Sequence, residues 1–251
     1  MSDALALNLL PGVPADYVFK RLSNAPGKEL VSGKFVSANS SAALAANCFG
    51  WFHPCAQLLP PFAGVQARYP ALSVDIEACV RFPWSGGRHP WLDALVTTER
   101  ELIGIESKRY EPFRDKKKVD LSSAYDRPVW GDAMQPFEKL RDDLRAGSVC
   151  YRYLDAAQLV KHAFGLTTQA RSAGLEPILL YLFAEPAMLG ERPIPDDARE
   201  AHREEIAGFA ERVQGADVRF FALSYREWIS TWRDEGAVVE HGRRLLTAFA
   251  P

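Results

Sequence analysis

The run PILLYLF (177–183) carries no charged side chain over seven positions. So short and continuous an apolar segment is the pattern of a strand covered on both faces. A chain containing it must place apolar layers on either side of a sheet, which makes α/β the expected class. The surrounding pattern supplies candidates for those layers. "SANSSAALAANCFGWF" offers a Ser/Asn cap and then an alanine-rich helix over about 41–52, ended by His53-Pro54. "LSVDIEACVRF" (72–82) sets Leu72, Val74, Ile76, Ala78, Val80 and Phe82 against Ser73, Asp75, Glu77, Cys79 and Arg81. That alternation predicts a strand with one polar face. Helices are expected at 132–146 and 155–172, and near 197–214 with Gly215 as the stop. "VRFFALS" (218–224) predicts another strand, Ser224 and Glu227 a capping box, and "RRLLTAF" a final helix. Residues 1–38, with prolines at 11, 14 and 26, read as irregular chain wrapping the surface.

Between these elements lies a hairpin. "WLDALVT" and "LIGIESK" are rich in β-formers and flank the polar "TERE". A turn centred between Glu99 and Arg100 pairs Val96 with Ile103 and Asp93 with Glu106. Directly opposed residues share a face, with Cβ atoms about 4.5–5.5 Å apart. Glu106 and Lys108, two apart, share that face as well, while Ile103 and Ile105 point into a core. Two opposed carboxylates repel, so the pair wants a cation between them. With the Ser107 carbonyl, Asp93 and Glu106 can hold part of an octahedral Mg²⁺ shell (Mn²⁺ as substitute), leaving water and phosphate oxygens to complete it. Such an ion polarises a phosphate and acidifies a bound water. Lys108 can orient that water or offset the charge that grows on the phosphate.

Asp93, twelve intervening residues, then Glu106-Ser107-Lys108 resembles the D…(D/E)-X-K signature of the restriction-endonuclease-like PD-(D/E)XK nucleases. The element order αβββα…αβ across about 40–185 is similar to that family's core. It resembles most the small bacterial restriction-endonuclease-like proteins, in which a Ser-Ser-capped helix containing an Asn precedes the strands, as "SSAALAANCF" does. Leu92 stands where the family often has proline; Pro90 is the nearest one. The resemblance implies a central mixed sheet flanked by helices, in a single domain over 1–251 with an αβα extension at 186–251. It implies a Mg²⁺-dependent endonuclease acting on nucleic acid, DNA in the first instance. It also implies an extra acid on the preceding strand, for which Glu77 is the candidate; a solvent-facing Glu is the plainer alternative.

Further candidates for nucleic-acid contact each have a structural counterpart. Asn47 is either a satisfied core amide or an amide aimed at the site. Gln158, Lys161 and His162 share a helix face at i, i+3 and i+4, yet Asp155 and Gln158 also make a plausible capping box. Arg109, Arg114, Lys116, Lys117 and Lys118 leave the Glu-x-Lys strand directly and could track a phosphate backbone, or be solvated charge. Thirty basic against 32 acidic residues give −2, so any phosphate-binding surface must be local. Cys48, Cys55, Cys79 and Cys150 form no CxxC and read as reduced core thiols of a cytoplasmic protein. There is no signal peptide and no 18-residue apolar span, so no membrane role is expected. The oligomeric state, a homodimer included, stays open. So does a non-catalytic member of the fold that binds nucleic acid or another protein, and hydrolysis of some other phosphoryl substrate.

Overall fold

The computed structural model describes residues 8–233 and 236–251. Five strands form one mixed sheet: β1 (Ser73–Cys79), β2 (Trp91–Thr97), β3 (Glu101–Lys108), β4 (Glu176–Phe183) and, at the far edge, Arg219–Ser224. β1, β2 and β3 form an antiparallel meander. β4 then pairs parallel with β3, and the edge strand parallel with β4. The parallel step from β3 to β4 needs a long crossover. Here it runs through helices Gln135–Ala146 and Ala156–Ala173.

Helices α1 (Ala15–Asn24) and α2 (Ser41–Gly50) precede β1. They are followed by the short α3 (Glu111–Arg114), the crossover helices α4 and α5, then α6 (Asp196–Arg212), α7 (Tyr225–Ser230) and α8 (Ala237–Phe249). A two-stranded ribbon, β5 (Met188–Leu189) and β6 (Arg192–Pro193), lies between β4 and α6, so the edge strand is β7. β4 alternates strictly between two cores. Ile178, Leu180 and Leu182 enter a cluster with Leu44, Phe49, Trp228 and Leu245 from α2, α7 and α8. Leu179, Tyr181 and Phe183 enter a second with Phe137, Val160, Phe164 and Phe209 from α4, α5 and α6. The sheet is therefore sandwiched, as the PILLYLF run requires.

The hairpin register is the one the turn position predicts: Val96 faces Ile103 and Ala94 faces Ile105, and both isoleucines are fully buried. The preceding strand departs from expectation. Val74 and Ile76 lie in the first core, but Ala78, Val80 and Phe82 lie in the second. Their partners follow: Ala94 and Val96 are in the first core and Leu92 in the second. The reversal falls at Glu77, whose φ of +46° is left-handed. Alternation depends on successive extended residues, so one left-handed residue rolls the strand over. The single polar face read over 72–82 is thus two half-faces meeting at Glu77, and Leu72 is exposed rather than apolar-packed.

The N-terminal segment is a second correction. Pro14 and Pro26 bracket a helix instead of excluding one, because proline is tolerated where a helix begins and after it ends. Arg21 of that helix donates from Nε to Ile76 O (2.6 Å) and from Nη2 to Glu77 O (2.9 Å). Tyr17 OH accepts from Ile76 N (3.0 Å), and His53 Nδ1 lies 2.9 Å from Val74 O. Side chains thus occupy the outer edge of β1, which would otherwise offer open backbone groups. The same contacts clamp the turn-over at Glu77. Expected helix 41–52 ends at Gly50, helix 132–146 begins with a 3-10 turn at Asp132–Met134, and helix 197–214 ends at Arg212, before Gly215. The Ser224–Glu227 capping box forms in full. All four cysteines are free, but Cys48 alone is buried, and Cys150 is exposed rather than a core thiol. No helix among the described residues is long and apolar enough to cross a membrane.

Candidate active site

β3 leaves the core through Glu106-Ser107-Lys108, and the reversal in β1 and β2 brings Glu77 and Asp93 beside it. Asp93 Oδ2 accepts from Ser107 N at 2.7 Å, so the acid of β2 is tied to the middle of the Glu-x-Lys step. Lys108 Nζ is in direct ion-pair contact with Glu106 Oε1. Glu106 is only 2% exposed. Its second oxygen, Oε2, lies 3.0 Å from His162 Nδ1 of α5. The alignment is not that of a hydrogen bond, and neither atom has another partner. Ser107 turns the other way, where its Oγ meets Tyr225 OH at 2.7 Å. Tyr225 begins α7, so the C-terminal segment braces the end of β3.

The charges are strongly coupled. Burial alone would raise the Glu106 carboxyl, but the Lys108 ammonium and then His162 overcome it and bring it down to about 2. Burial opposes the Lys108 charge, yet Glu106, Asp93 and Glu111 hold its ammonium above the ordinary range. It is therefore protonated at neutral pH. Asp93 is pushed well above the usual carboxylate range, by burial and then by Glu106. Glu77 is pushed up to about 7 by burial and then by Glu106 and Glu29, against Arg21. Burial and the ionised Glu106 thus both oppose charge on these two neighbouring acids.

Among the described residues no three His, Cys, Asp or Glu side chains stand as a group able to hold a metal ion. The reason is visible in the contacts: Glu106 is turned onto Lys108, and Asp93 onto the Ser107 N–H. The donor chemistry nonetheless fits a hard divalent cation. Asp93 and Glu106 come from adjacent strands, Glu106 Oε2 lacks a hydrogen-bond donor, and burial with the Glu106 charge raises Asp93 and Glu77.

The remaining predicted residues divide. Gln158, Lys161 and His162 do share a face of α5, and all three line a cleft of about 580 Å³ that opens beside the site. Asp155 also caps that helix, accepting from Gln158 N at 2.9 Å, as the structural alternative for the stretch expects. His162 is not free for phosphate, being 3% exposed and turned onto Glu106. Asn47 does not reach the site. It is fully buried, accepting from Leu10 N (2.6 Å) and donating to Asn8 O (2.9 Å) and Ala43 O (2.8 Å), and so fastens the N-terminal chain. Arg109 is likewise interior, donating to Ala38 O at 2.7 Å and to Phe249 O. Arg114 is paired with Asp115 (2.7 Å), and Lys117 donates to Glu111 O (2.5 Å). Of the basic run, Arg114, Lys116 and Lys118 are exposed, Arg114 within its pair with Asp115.

Three contributors escaped the sequence reading. Glu111 accepts from Arg109 N at 2.9 Å and from Ser41 Oγ, which ties α3 to the start of α2. Tyr225 and Arg21 act from distant parts of the chain. Only Glu111 carried a signal, an acid three residues beyond the Glu-x-Lys step.

No curated protein and no solved structure matches this chain. The sequence profile of one family, described as "Restriction Endonuclease associating with ARP", matches residues 2–249. A mixed sheet sandwiched by helices, with an Asp and a Glu-x-Lys step meeting at a break in its strands, accords with that match, and the chain belongs to this restriction endonuclease family.

Proposed function

We propose that the protein is a divalent-metal-dependent nuclease that hydrolyses phosphodiester bonds, with DNA as substrate, in the cytoplasm of its cell. The observation that carries the reading is the Lys108–Glu106–Asp93 cluster. An ammonium and two carboxylates sit at the mouth of a strand pair, in a chain of restriction-endonuclease family. Asp93 and Glu106, with the Ser107 carbonyl, are the groups that would hold Mg²⁺, and Glu77 would add a fourth oxygen. Bound there, the ion supplies Lewis-acid polarisation of a phosphate oxygen and a water of lowered pKa.

The chain's own residues do the rest. Lys108, kept cationic by its neighbours, offsets negative charge developing on the phosphate. Its lone-pair-free ammonium cannot serve as a base in that state, so its role is electrostatic and positional. His162 lies against the second oxygen of Glu106 and lowers the cost of its charge. Ser107, locked by Tyr225, fixes the spacing of the Glu and Lys on either side of it. Exposed Lys116 and Lys118 and the Lys161 side of the cleft offer local attraction to phosphates that a net charge of −2 does not.

A binding protein without catalysis is the competing reading, favoured by the absence of three converged donors among the described residues. Plasmid cleavage with Mg²⁺ or Mn²⁺, with and without chelator, separates the two. Wild type should cut only with metal, and Asp93→Asn, Glu106→Gln and Lys108→Met should each lose at least about 100-fold. A pair of these changes should be little worse than one, because the groups act as a unit. Binding of DNA with no metal-dependent cleavage would replace this reading by the competing one.

A further inference from the structure

The cleft beside the site contains a tryptophan that the fold does not use. Trp91 is half-buried and lines the cleft, yet among the described residues it packs into neither apolar core. Its neighbour Trp84 is already engaged, with Phe82 stacked at 4.8 Å and the Arg127 guanidinium 4.5 Å from its ring centre. The backbone that carries Trp91 is fixed. It pairs with Cys79, and the adjoining Pro90 O accepts from Val80 N at 3.0 Å. Pro90 in turn packs against α5 at Gly165, where even a Cβ would come within 2.7 Å of the ring. An indole on a fixed backbone, lining a cleft two residues before Asp93 on the same strand, is placed for a ligand rather than for a core.

The polar lining says which kind. Arg88, Lys161 and Gln158 bring donors to the lining, Asp120 and Asp155 bring carboxylates, and His89 stands among them. Two cations against two carboxylates leave the lining with no net charge to select a phosphate. A nucleobase edge, by contrast, carries donors and acceptors together and has a π-face for the indole. About 580 Å³ lies within the usual size range of a small-ligand site. His162 forms part of the lining and touches Glu106, so the cleft and the carboxylates are contiguous.

We infer that this cleft is a base-binding subsite. An unpaired nucleobase stacks on Trp91 while the backbone of the same strand passes Asp93, Glu106 and Lys108. A base stacked inside a duplex cannot enter, so the strand handled here is single-stranded, frayed or flipped at that position. The inference rests on the nuclease reading for why a nucleotide is present, but it concerns binding and is tested without cleavage.

The test is fluorescence anisotropy at fixed salt with EDTA present, using fluorescein-labelled probes of one length: a DNA single strand, an abasic strand with the same phosphates, and a blunt duplex. Wild type should bind the base-bearing strand roughly ten-fold tighter than the abasic one, the order expected for one base–aromatic stack. Trp91→Ala should erase that difference, Trp91→Phe should keep most of it, and duplex affinity should not change in either. Equal binding of the two strands by wild type, or a preference that survives Trp91→Ala, would overturn the subsite. An equal loss of duplex affinity in Trp91→Ala would overturn its restriction to unpaired bases. Metal-dependent cleavage in the plasmid assay stands or falls separately. Cleavage without base preference sinks only this inference, and base preference without cleavage sinks only the nuclease reading.

Discussion

Replacing Lys108 by methionine separates what the site contributes to stability from what it contributes to chemistry. Methionine keeps the stem and removes the ammonium that lies against Glu106 Oε1. Glu106 is 2% exposed, and only His162 Nδ1, at 3.0 Å, remains near its other oxygen. Removing one partner of a buried ion pair costs about 3–5 kcal/mol, because the charge left behind is poorly solvated. Lys108 itself is 16% exposed, and the imidazole remains, so the low end applies, about 3 kcal/mol. Adding Glu106→Gln removes the stranded charge. The double variant should therefore return to within about 1 kcal/mol of wild type while staying inactive. Urea denaturation at pH 7 reads this directly, provided the slope with denaturant is the same for all four proteins. If Lys108→Met falls within about 0.5 kcal/mol of wild type, the pair behaves as a solvated surface bridge and the buried-site argument is wrong. A double variant that loses the sum of the two single changes would refute it equally.

Three further outcomes are expected. Tyr225→Phe and Ser107→Ala each leave one buried hydroxyl without its partner at 2.7 Å and should cost about 1–3 kcal/mol. Their double variant should cost clearly less than the sum, and a denaturation cycle showing strict additivity would rule the contact out. His241 is buried against Trp51, and burial lowers it from 6.5 to about 4, so the unfolded chain takes up its proton first on acidification. Stability tied to it is complete above pH ~6.5 and is lost as pH falls towards ~4, amounting to roughly 3 kcal/mol. His241→Phe should flatten the denaturation-midpoint profile across that window by this amount, and an unchanged profile would count against it. Gly165→Ala would bring a Cβ to 2.7 Å from Val80 Cγ2 and 3.0 Å from the Val80 carbonyl. Despite a helix-propensity gain of about 1 kcal/mol, overpacking of about 1–3 kcal/mol should leave the variant less stable by thermal unfolding. A more stable variant would show that α5 can move off the strand freely.

What the sequence determined by itself was whatever depends on neighbours in the chain. The unbroken PILLYLF run demanded a strand covered on both faces. The Ser224–Glu227 spacing specified its capping box, and the polar turn between two β-rich segments set the register that pairs Val96 with Ile103. These are local matters of period and hydrogen-bond reach, so they survive translation from pattern to structure. The roll of β1 at Glu77 was not legible, because the alternation of 72–82 is the same whether or not one residue turns left-handed. Only the Arg21 clamp from α1 and the two cores on either side decide it. Nor could sequence separate Arg109 from Lys116 and Lys118. All three are cations in one basic run, and Arg109 is interior only because Ala38 and Phe249 bring carbonyls to it. The contacts that shape the site span the chain in the same way, His162 on Glu106 and Tyr225 on Ser107, the latter across 118 residues. Such pairs leave no periodic trace, since packing of separate layers, rather than spacing along the backbone, brings them together.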